Sequence, residues 1–254
     1  MLLSRIEDAG LNASAPPQQR WMDGWIVRTN PGKAQRARCI NAVAAGLQPV
    51  PAKLAACAEL YRSLGLPLLM RITPFTQPPV LDALLAGAGF AVHDETLVMV
   101  LPVLRPSALE PGAPPAGLRW AELAPDAYAE AVGALRGSSP SARAAHAERL
   151  RASPVPYRGY ALLRDSAVIA CGQVAQEGDL VGLYDVATDP AQQCKGLGTW
   201  LCRRLLTLAA TESGAQSGYL QVGADNEAAR RIYTRIGFED AYGYHYRVPP
   251  PAAA

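Results

Sequence analysis

The chain has 254 residues, half of them apolar and 18% charged, which allows a buried core and excludes global disorder. A net charge of +2 with no basic stripe excludes a dedicated nucleic-acid binder, and no run of 18 or more apolar residues offers a membrane span. Five cysteines (Cys39, Cys57, Cys171, Cys194 and Cys202), odd in number and without C-x-x-C, suggest neither a disulfide framework nor a zinc site, so no metal is expected.

The start of the chain lacks the apolar segment of a signal peptide, since Arg5, Glu7 and Asp8 follow Met1 closely. A cytoplasmic protein with no membrane or nucleic-acid partner is the expectation. In chain order, Asp23–Arg28 and Arg36–Asn41 read as strands, Pro51–Leu64 as a helix and Pro67–Ile72 as a strand. Val80–Ala88 reads as a helix that stops at Gly89-Phe90, and Val92–Val103 as a strand. Pro102–Gly117 then brings five prolines and two glycines in sixteen residues, a composition that sustains neither a helix nor a central strand. The chain is therefore divided into 1–104, a linker 105–117, and 118–254.

The second part opens with a strand at Leu118–Leu123 and helices at Pro125–Arg136 and Ser141–Ala152. Two alternating apolar runs, Arg158–Arg164 and Ala167–Gln176, flank an Asp165-Ser166 turn, and Asp179–Thr188 is a further strand. A glycine-containing loop leads to a helix over Leu197–Glu212, then a strand Gly218–Val222, a helix Asn226–Ile236 and a last strand Phe238–Val248. Antiparallel strands followed by alternating strands and helices imply a mixed, mostly antiparallel sheet flanked by helices, an α/β (mixed α+β) class. The first part closes in the same order, helix, strand, helix, Gly-Phe, strand, which suggests two halves of common architecture.

The chemistry is concentrated in Gln193-Cys194-Lys195-Gly196-Leu197-Gly198, between a strand and a helix. Glycines let successive N–H groups turn to one point, and the helix start adds unpaired amides and a positive dipole end. Together they make an anion cradle suited to a pyrophosphate. A Walker loop does not fit, because Thr199-Trp200 follows Gly198, and a dinucleotide fingerprint fails at Leu201, where it needs a third glycine.

The pattern Q-x-x-G-x-G does fit, and Asn226-Glu-Ala-Ala229-Arg-Arg-Ile-Tyr233-Thr-Arg-Ile-Gly237-Phe238 adds a second signature, N-x-x-A-x-x-x-Y-x-x-x-G-F. With these two segments the chain resembles the GNAT acetyltransferase superfamily, over roughly 118–248. The resemblance implies a GNAT fold and acetyl-CoA, or another short acyl-CoA, as cosubstrate. It implies that the backbone of Val186, Ala187 and Thr188 pairs with the pantetheine arm and that the amides from Gln193 to Thr199 hold the pyrophosphate. Asn226 and Ala229 would lie on the cofactor arm, and Tyr233 would aim its hydroxyl at the thioester sulfur as general acid. Lys195 is placed where a cation meets a phosphate. Asp185, nearest the pantetheine segment, ranks ahead of Glu177 as general base.

Other readings of the same residues stand beside these. Asn226 also suits a helix N-cap, and Tyr233 also suits core packing. Cys194 has no neighbouring histidine and reads as a loop amide rather than a nucleophile, while His93, His146 and His245 are isolated in sequence and read as structural or exposed.

In the first half, the segment before the Pro51–Leu64 helix, Gly46-Leu-Gln-Pro-Val-Pro, lacks G-x-G. Leu85 and Pro78 stand where the second half has Tyr233 and Asn226. With Asp23-Gly24-Trp25-Ile-Val-Arg28 it resembles the degenerate first half of tandem GNAT proteins. The expected function is transfer of an acyl group to a primary amine of a small molecule or peptide, with an acyl-CoA sensor lacking turnover as the alternative. A homodimer is left open.

Overall fold

The computed structural model describes residues 1–250; Pro251–Ala254, the end of the expected 118–254 part, lie outside the described residues. The chain opens with helix α1 (Leu2–Ala13), which buries Ile6, Ala9, Gly10 and Ala13 on one face. The sequence reading begins at Asp23 and misses this helix, although the apolar spacing is helical. Strands β1 (Gln19–Met22) and β2 (Trp25–Arg28) form a hairpin in register Met22↔Trp25. Asp23 and Gly24 turn it at φ 43° and 82°, the mirror-image turn that an Asp-Gly pair favours. Asp23 therefore belongs to a turn and not, as expected, to a strand.

A 3₁₀ turn at Gln35–Ala37 and strand β3 (Ile40–Ala42) replace the single strand expected over Arg36–Asn41. Helix α2 (Val50–Ser63), strand β4 (Met70–Ile72), helix α3 (Leu81–Gly87) and strand β5 (Ala91–Leu101) follow the expected order. Inside the proline-rich stretch lies a single helical turn, α4 (Pro106–Leu109), where no helix is expected. Pro106 occupies its first position, where the missing N–H has no partner to lose.

Then come β6 (Arg119–Leu123), α5 (Pro125–Leu135), α6 (Pro140–Ala152), β7 (Tyr157–Arg164), β8 (Ala167–Glu177) and β9 (Leu180–Thr188). The last elements are α7 (Leu197–Ser213), β10 (Ser217–Gly223), α8 (Glu227–Ile236) and β11 (Glu239–Val248).

These elements divide into two compact units. The first comprises Met1–Ala13, Val98–Val222 and Asn226–Ala241. Its strands run β10-β9-β8-β7-β6, antiparallel except for the parallel pair β9–β10. Helices α5 and α6 bury Tyr128, Ala129, Val132, Ala147 and Leu150 against Ala161, Leu163 and Cys171 of the sheet. Helix α1 is tied into this unit through Asn12, whose Nδ2 donates to the Glu177 carboxylate at 3.0 Å, through the Arg5–Asp179 ion pair, and through Ala13 O, which accepts from the Tyr157 hydroxyl at 2.7 Å.

The second unit comprises Ser14–Leu97, Gly223–Asp225 and Tyr242–Ala254 as far as described. Its strands run β1-β2-β3-β4-β11, with β3 and β4 parallel. Trp25, Val27, Ile40, Cys57, Tyr61, Met70, Leu81 and Leu85 form its core. Leu85, which stands where the other half has Tyr233, is fully buried in that core.

The loop between β3 and α2 is filled by its own helix. Lys53 is fully buried, and its Nζ donates to the carbonyls of Asp23 (3.1 Å) and Ala45 (2.5 Å) and lies 4.5 Å from the Trp25 ring centroid. The Asp23 carboxylate lies 3.3 Å from the ammonium and accepts from the amides of Leu47 and Gln48; those amide bonds first, and Lys53 after them, hold its carboxyl below the usual value. A Lys53→Met substitution keeps most of the volume and leaves buried carbonyls without a donor. It should lower stability by about 3 kcal/mol, seen as a fall of roughly 6–12 °C in Tm. An unchanged thermal transition would show that the ammonium does not organise the loop.

Candidate active site

Strands β9 and β10 pair from Leu180↔Ser217 through Leu183↔Leu220 and then part, although β9 continues to Thr188. On its other side β9 stays paired with β8, with Cys171↔Ala187 and Ala170↔Thr188. Past Tyr184 β9 therefore has one open edge, with backbone groups available to an extended partner.

Two features mark the parting point. The Tyr184 and Tyr219 rings meet edge to face at 6.1 Å with their hydroxyls 2.9 Å apart, and both lean over Gly182. A Cβ at Gly182 would come within 2.4 Å of the Tyr184 ring, so only glycine fits there. The second feature is a bulge between Cys171 and Gln173 opposite Asp185, whose φ is +51°. The Asp185 carbonyl, turned out of the ladder, accepts from the Tyr128 hydroxyl at 3.1 Å.

Past Thr188 the chain makes a 3₁₀ turn at Pro190–Gln192, in which Asp189 caps Ala191 N. Gln193, Cys194, Lys195 and Gly196 follow on the surface, with Cys194 and Gly196 left-handed at φ 61° and 77°. Helix α7 starts at Leu197 with no side-chain cap on its first turn. The amides of Leu197, Gly198 and Thr199 thus sit at the positive end of a 17-residue helix. A Cβ at Gly198 would lie 3.4 Å from Ile232 Cδ1 and 3.9 Å from Thr188 Oγ1, so the end of β9, the start of α7 and helix α8 converge around this glycine. Lys195 Nζ is bound to Gln192 Oε1 at 2.9 Å on the surface of the loop.

Helix α8 differs from α7 in being capped. Asn226 Oδ1 accepts from Ala229 N at 3.1 Å, so the N-cap reading of Asn226 holds and the Ala229 amide is occupied. Tyr233 is half-buried, edge-on to Phe238 at 6.0 Å, and its hydroxyl makes no hydrogen bond to another described residue. Burial pushes the Tyr233 phenol above its ordinary value, which keeps the proton on.

Asp185 lies in a charge cluster that the linear sequence does not announce. Its Oδ1 accepts from Arg136 Nη1 at 2.7 Å, its Oδ2 accepts from Gln173 Nε2 at 2.8 Å, and His146 Nε2 stands 3.3 Å from Oδ2. Burial pushes the carboxyl up, but His146, Arg136 and Arg149 together outweigh it and hold Asp185 well below the usual carboxylate range. A carboxylate so held is a weak proton acceptor. Sequence reasoning selects Asp185 but not His146, Arg136 or Gln173, because their meeting is tertiary: they come from α6, the end of α5, and β8. Among the described residues no group of three or more His, Cys, Asp or Glu is arranged to hold a metal ion.

Because the folded value of Asp185 lies below its unfolded value, the cluster contributes stability above about pH 4 that is lost as pH falls toward the folded value. Asp185→Asn should lower stability at pH 7 by about 2 kcal/mol, less than for a fully buried pair, because Arg136 is 45% exposed. The gap between parent and variant should shrink at pH 3. Urea unfolding at the two pH values tests this, and an equal gap at both would remove the ionic explanation.

Three comparisons bear on identity. The family model described as "Probable histone acetyltransferase Rv0428c C-terminal" matches residues 3–247. The chain is 26% identical over 231 residues to "Uncharacterized N-acetyltransferase YobR" of Bacillus subtilis (strain 168), covering 91% of this chain and 92% of that one. Among solved structures, a GCN5-related N-acetyltransferase from Kribbella flavida superposes with a TM-score of 0.70 at 19% identity, covering 98% of this chain and 96% of the other. A tandem GNAT protein from the clavulanic acid biosynthesis pathway gives 0.63 at 18% identity, over 80% and 70% of the two chains. The match along nearly the whole length places the chain in the Rv0428c C-terminal family, with the fold of the GNAT superfamily and the activity class of an N-acetyltransferase.

Proposed function

We propose that the chain moves an acyl group, an acetyl group in the first instance, from an acyl-CoA to a primary amine of a small molecule or peptide. The observation that carries this reading is the open edge of β9 beyond Tyr184, which leads to the uncapped start of α7. A pantetheine arm presents amides along an extended chain, so it can pair with the backbone of Val186, Ala187 and Thr188 as an added strand does. Where that track ends, the amides of Gln193, Cys194, Lys195, Gly196, Leu197, Gly198 and Thr199 would receive the pyrophosphate, with helix dipole and backbone donors acting together. Asn226 and Ala229 flank the arm at the start of α8.

Acyl-CoA supplies an activated thioester, and the remaining work falls to the chain. Tyr233 holds a proton at its Oη for the departing sulfur, a role suited to a phenol kept protonated by burial. Asp185 acts by holding its neighbours in place. All of these residues fall within 118–254; the segment 1–104 contributes none, and 105–117 joins the two. The family description names a histone, and a lysine side chain is a primary amine inside the proposed acceptor class.

Gly198→Glu tests the cofactor site. Gly198 has an ordinary helical backbone with room for a Cβ, so Gly198→Ala should bind acetyl-CoA nearly as the parent does. Gly198→Glu places a negative charge where the pyrophosphate would lie and should weaken binding by about 100-fold, roughly 3 kcal/mol. Calorimetry on the parent should also give one acetyl-CoA per chain, because the Lys53-filled loop offers no second site. Equal affinity for the Ala and Glu variants, with native circular dichroism, would sink the assignment.

Tyr233→Phe tests the acid. The ring and its contact with Phe238 stay, and only an unpaired hydroxyl is lost. Acetyl-CoA affinity should remain within a few-fold while kcat falls about 100-fold. Parental kcat with a genuine amine acceptor would make Tyr233 a packing residue.

A further inference from the structure

An ammonium must lose a proton before its nitrogen can attack a thioester, and the Asp185 carboxylate at the start of the pantetheine track is already bound by Arg136 and Gln173. His146 stands beside it. Its side chain is 14% exposed while Nε2 is buried, so the exposure lies on the rest of the side chain. Nε2 is 3.3 Å from Asp185 Oδ2, close enough for an ion pair though not aligned as a hydrogen bond in this arrangement. With Nε2 turned toward the carboxylate, its N–H is favoured on that side and Nδ1 is the ring nitrogen left to accept a proton.

Two further observations point to the same place. The Oε1 of Gln173, whose Nε2 donates to Asp185, is buried and has no donor, so the cluster retains one unmet acceptor. Arg136, paired with Asp185, also acts electrostatically on the Tyr233 phenol, which links the cluster to the opposite member of the proposed acid–base pair.

We propose that His146, held by Asp185, is the base that takes the proton from the incoming amine. The proposal rests on the acyltransferase reading above. In the step, an N–H proton of the amine passes to His146 Nδ1, the freed nitrogen lone pair forms the bond to the thioester carbonyl carbon, and the carbon–sulfur bond breaks with its electron pair on sulfur. The sulfur takes the proton held by Tyr233, the Tyr233 oxygen recovers the second proton from the nitrogen of the new amide, and His146 returns its own to solvent. His146 is then a catalytic residue and Asp185 a positioning residue. The imidazole adjoins Asp185 of β9, and the other charged and titratable groups around that carboxylate are Arg136 at the end of α5, Tyr128 of α5 and Arg149 of α6, with Cys171 of β8 beside Tyr128.

The test begins with a readout that needs no turnover. Diethyl pyrocarbonate should modify His146 in the native protein, as mapped by peptide mass; a native His146 that resists the reagent is closed to an amine and overturns the proposal. H146Q can still donate to Asp185 but has no nitrogen to accept a proton. With acetyl-CoA and a panel of primary amines (a polyamine, an amino sugar, an amino-acid ester and a lysine peptide), H146Q should keep acetyl-CoA affinity within a few-fold. Its CoA release should fall about 100-fold or more, and the acid limb of the parent's kcat/KM profile should disappear.

H146A should regain part of its rate with added imidazole, a rescue that lost packing would not allow. D185N should lose about tenfold or more in kcat and displace the acid limb without removing it. Parental turnover and an unchanged pH profile in H146Q would overturn the proposal. So would a parent that binds acetyl-CoA in calorimetry but releases CoA to none of the amines. A parent that binds no acetyl-CoA would instead overturn the acyltransferase reading beneath it.

Discussion

A strand that loses its neighbour must place its backbone N–H and C=O groups somewhere, and β9 loses β10 after four paired residues. Water can serve an exposed edge, but a half-buried one, as over Asp185–Thr188, favours an extended molecule with amides of its own. The arrangement around the parting point follows from that constraint. Two tyrosine rings fill the sheet where the strands diverge, which forces glycine at 182. The bulge at Asp185 turns one carbonyl out of the ladder, and the Tyr128 hydroxyl takes it, so the departure leaves that group satisfied.

Electrostatics assigns direction to the crevice. Of the two carboxylates that flank the track, Asp185 faces Arg136, Gln173 and His146, and Asp189 is taken up by Ala191 N. Neither therefore competes for the amides at the start of α7. Those amides have no side-chain cap, whereas α8 carries Asn226 as its own. Two helix starts in the same unit thus behave differently: one is closed by the protein and the other offers its positive end outward. An extended ligand with amides at one end and a polyanion at the other meets matching groups only when it lies with the anion toward α7.

Much of this was legible in the sequence, because the informative signals are local. Helix and strand periods gave nearly every element of the second half, and glycine spacing marked the loop before α7. What stayed hidden has a physical reason in each case. Helix α1 lies ahead of the first recognisable strand, and the Asp23-Gly24 turn sits inside a run that reads as one strand. The joining of His146 to Asp185 depends on α6 packing against the sheet, which no spacing encodes. Nothing in the sequence separates Lys53 from a surface ammonium, although its Nζ is sunk among carbonyls. Asn226 was ambiguous for a different reason: capping and ligand contact call for the same residue type.

The two loops that link a strand to a helix at corresponding points of the element order, β9 to α7 and β3 to α2, explain the unequal roles proposed for the two halves. The first turns glycine-rich backbone so that N–H groups lead into the helix. In the second, Pro49 and Pro51 at the helix start carry no N–H, and the Asp23 carboxylate takes the amides of Leu47 and Gln48. That loop also turns the Ala45 carbonyl inward, where the Lys53 ammonium supplies the positive charge from within the chain. A pyrophosphate approaching it would find its donors already engaged or missing. Two prolines, one carboxylate and one lysine are therefore enough to remove from this loop the amide donors that a polyanion needs.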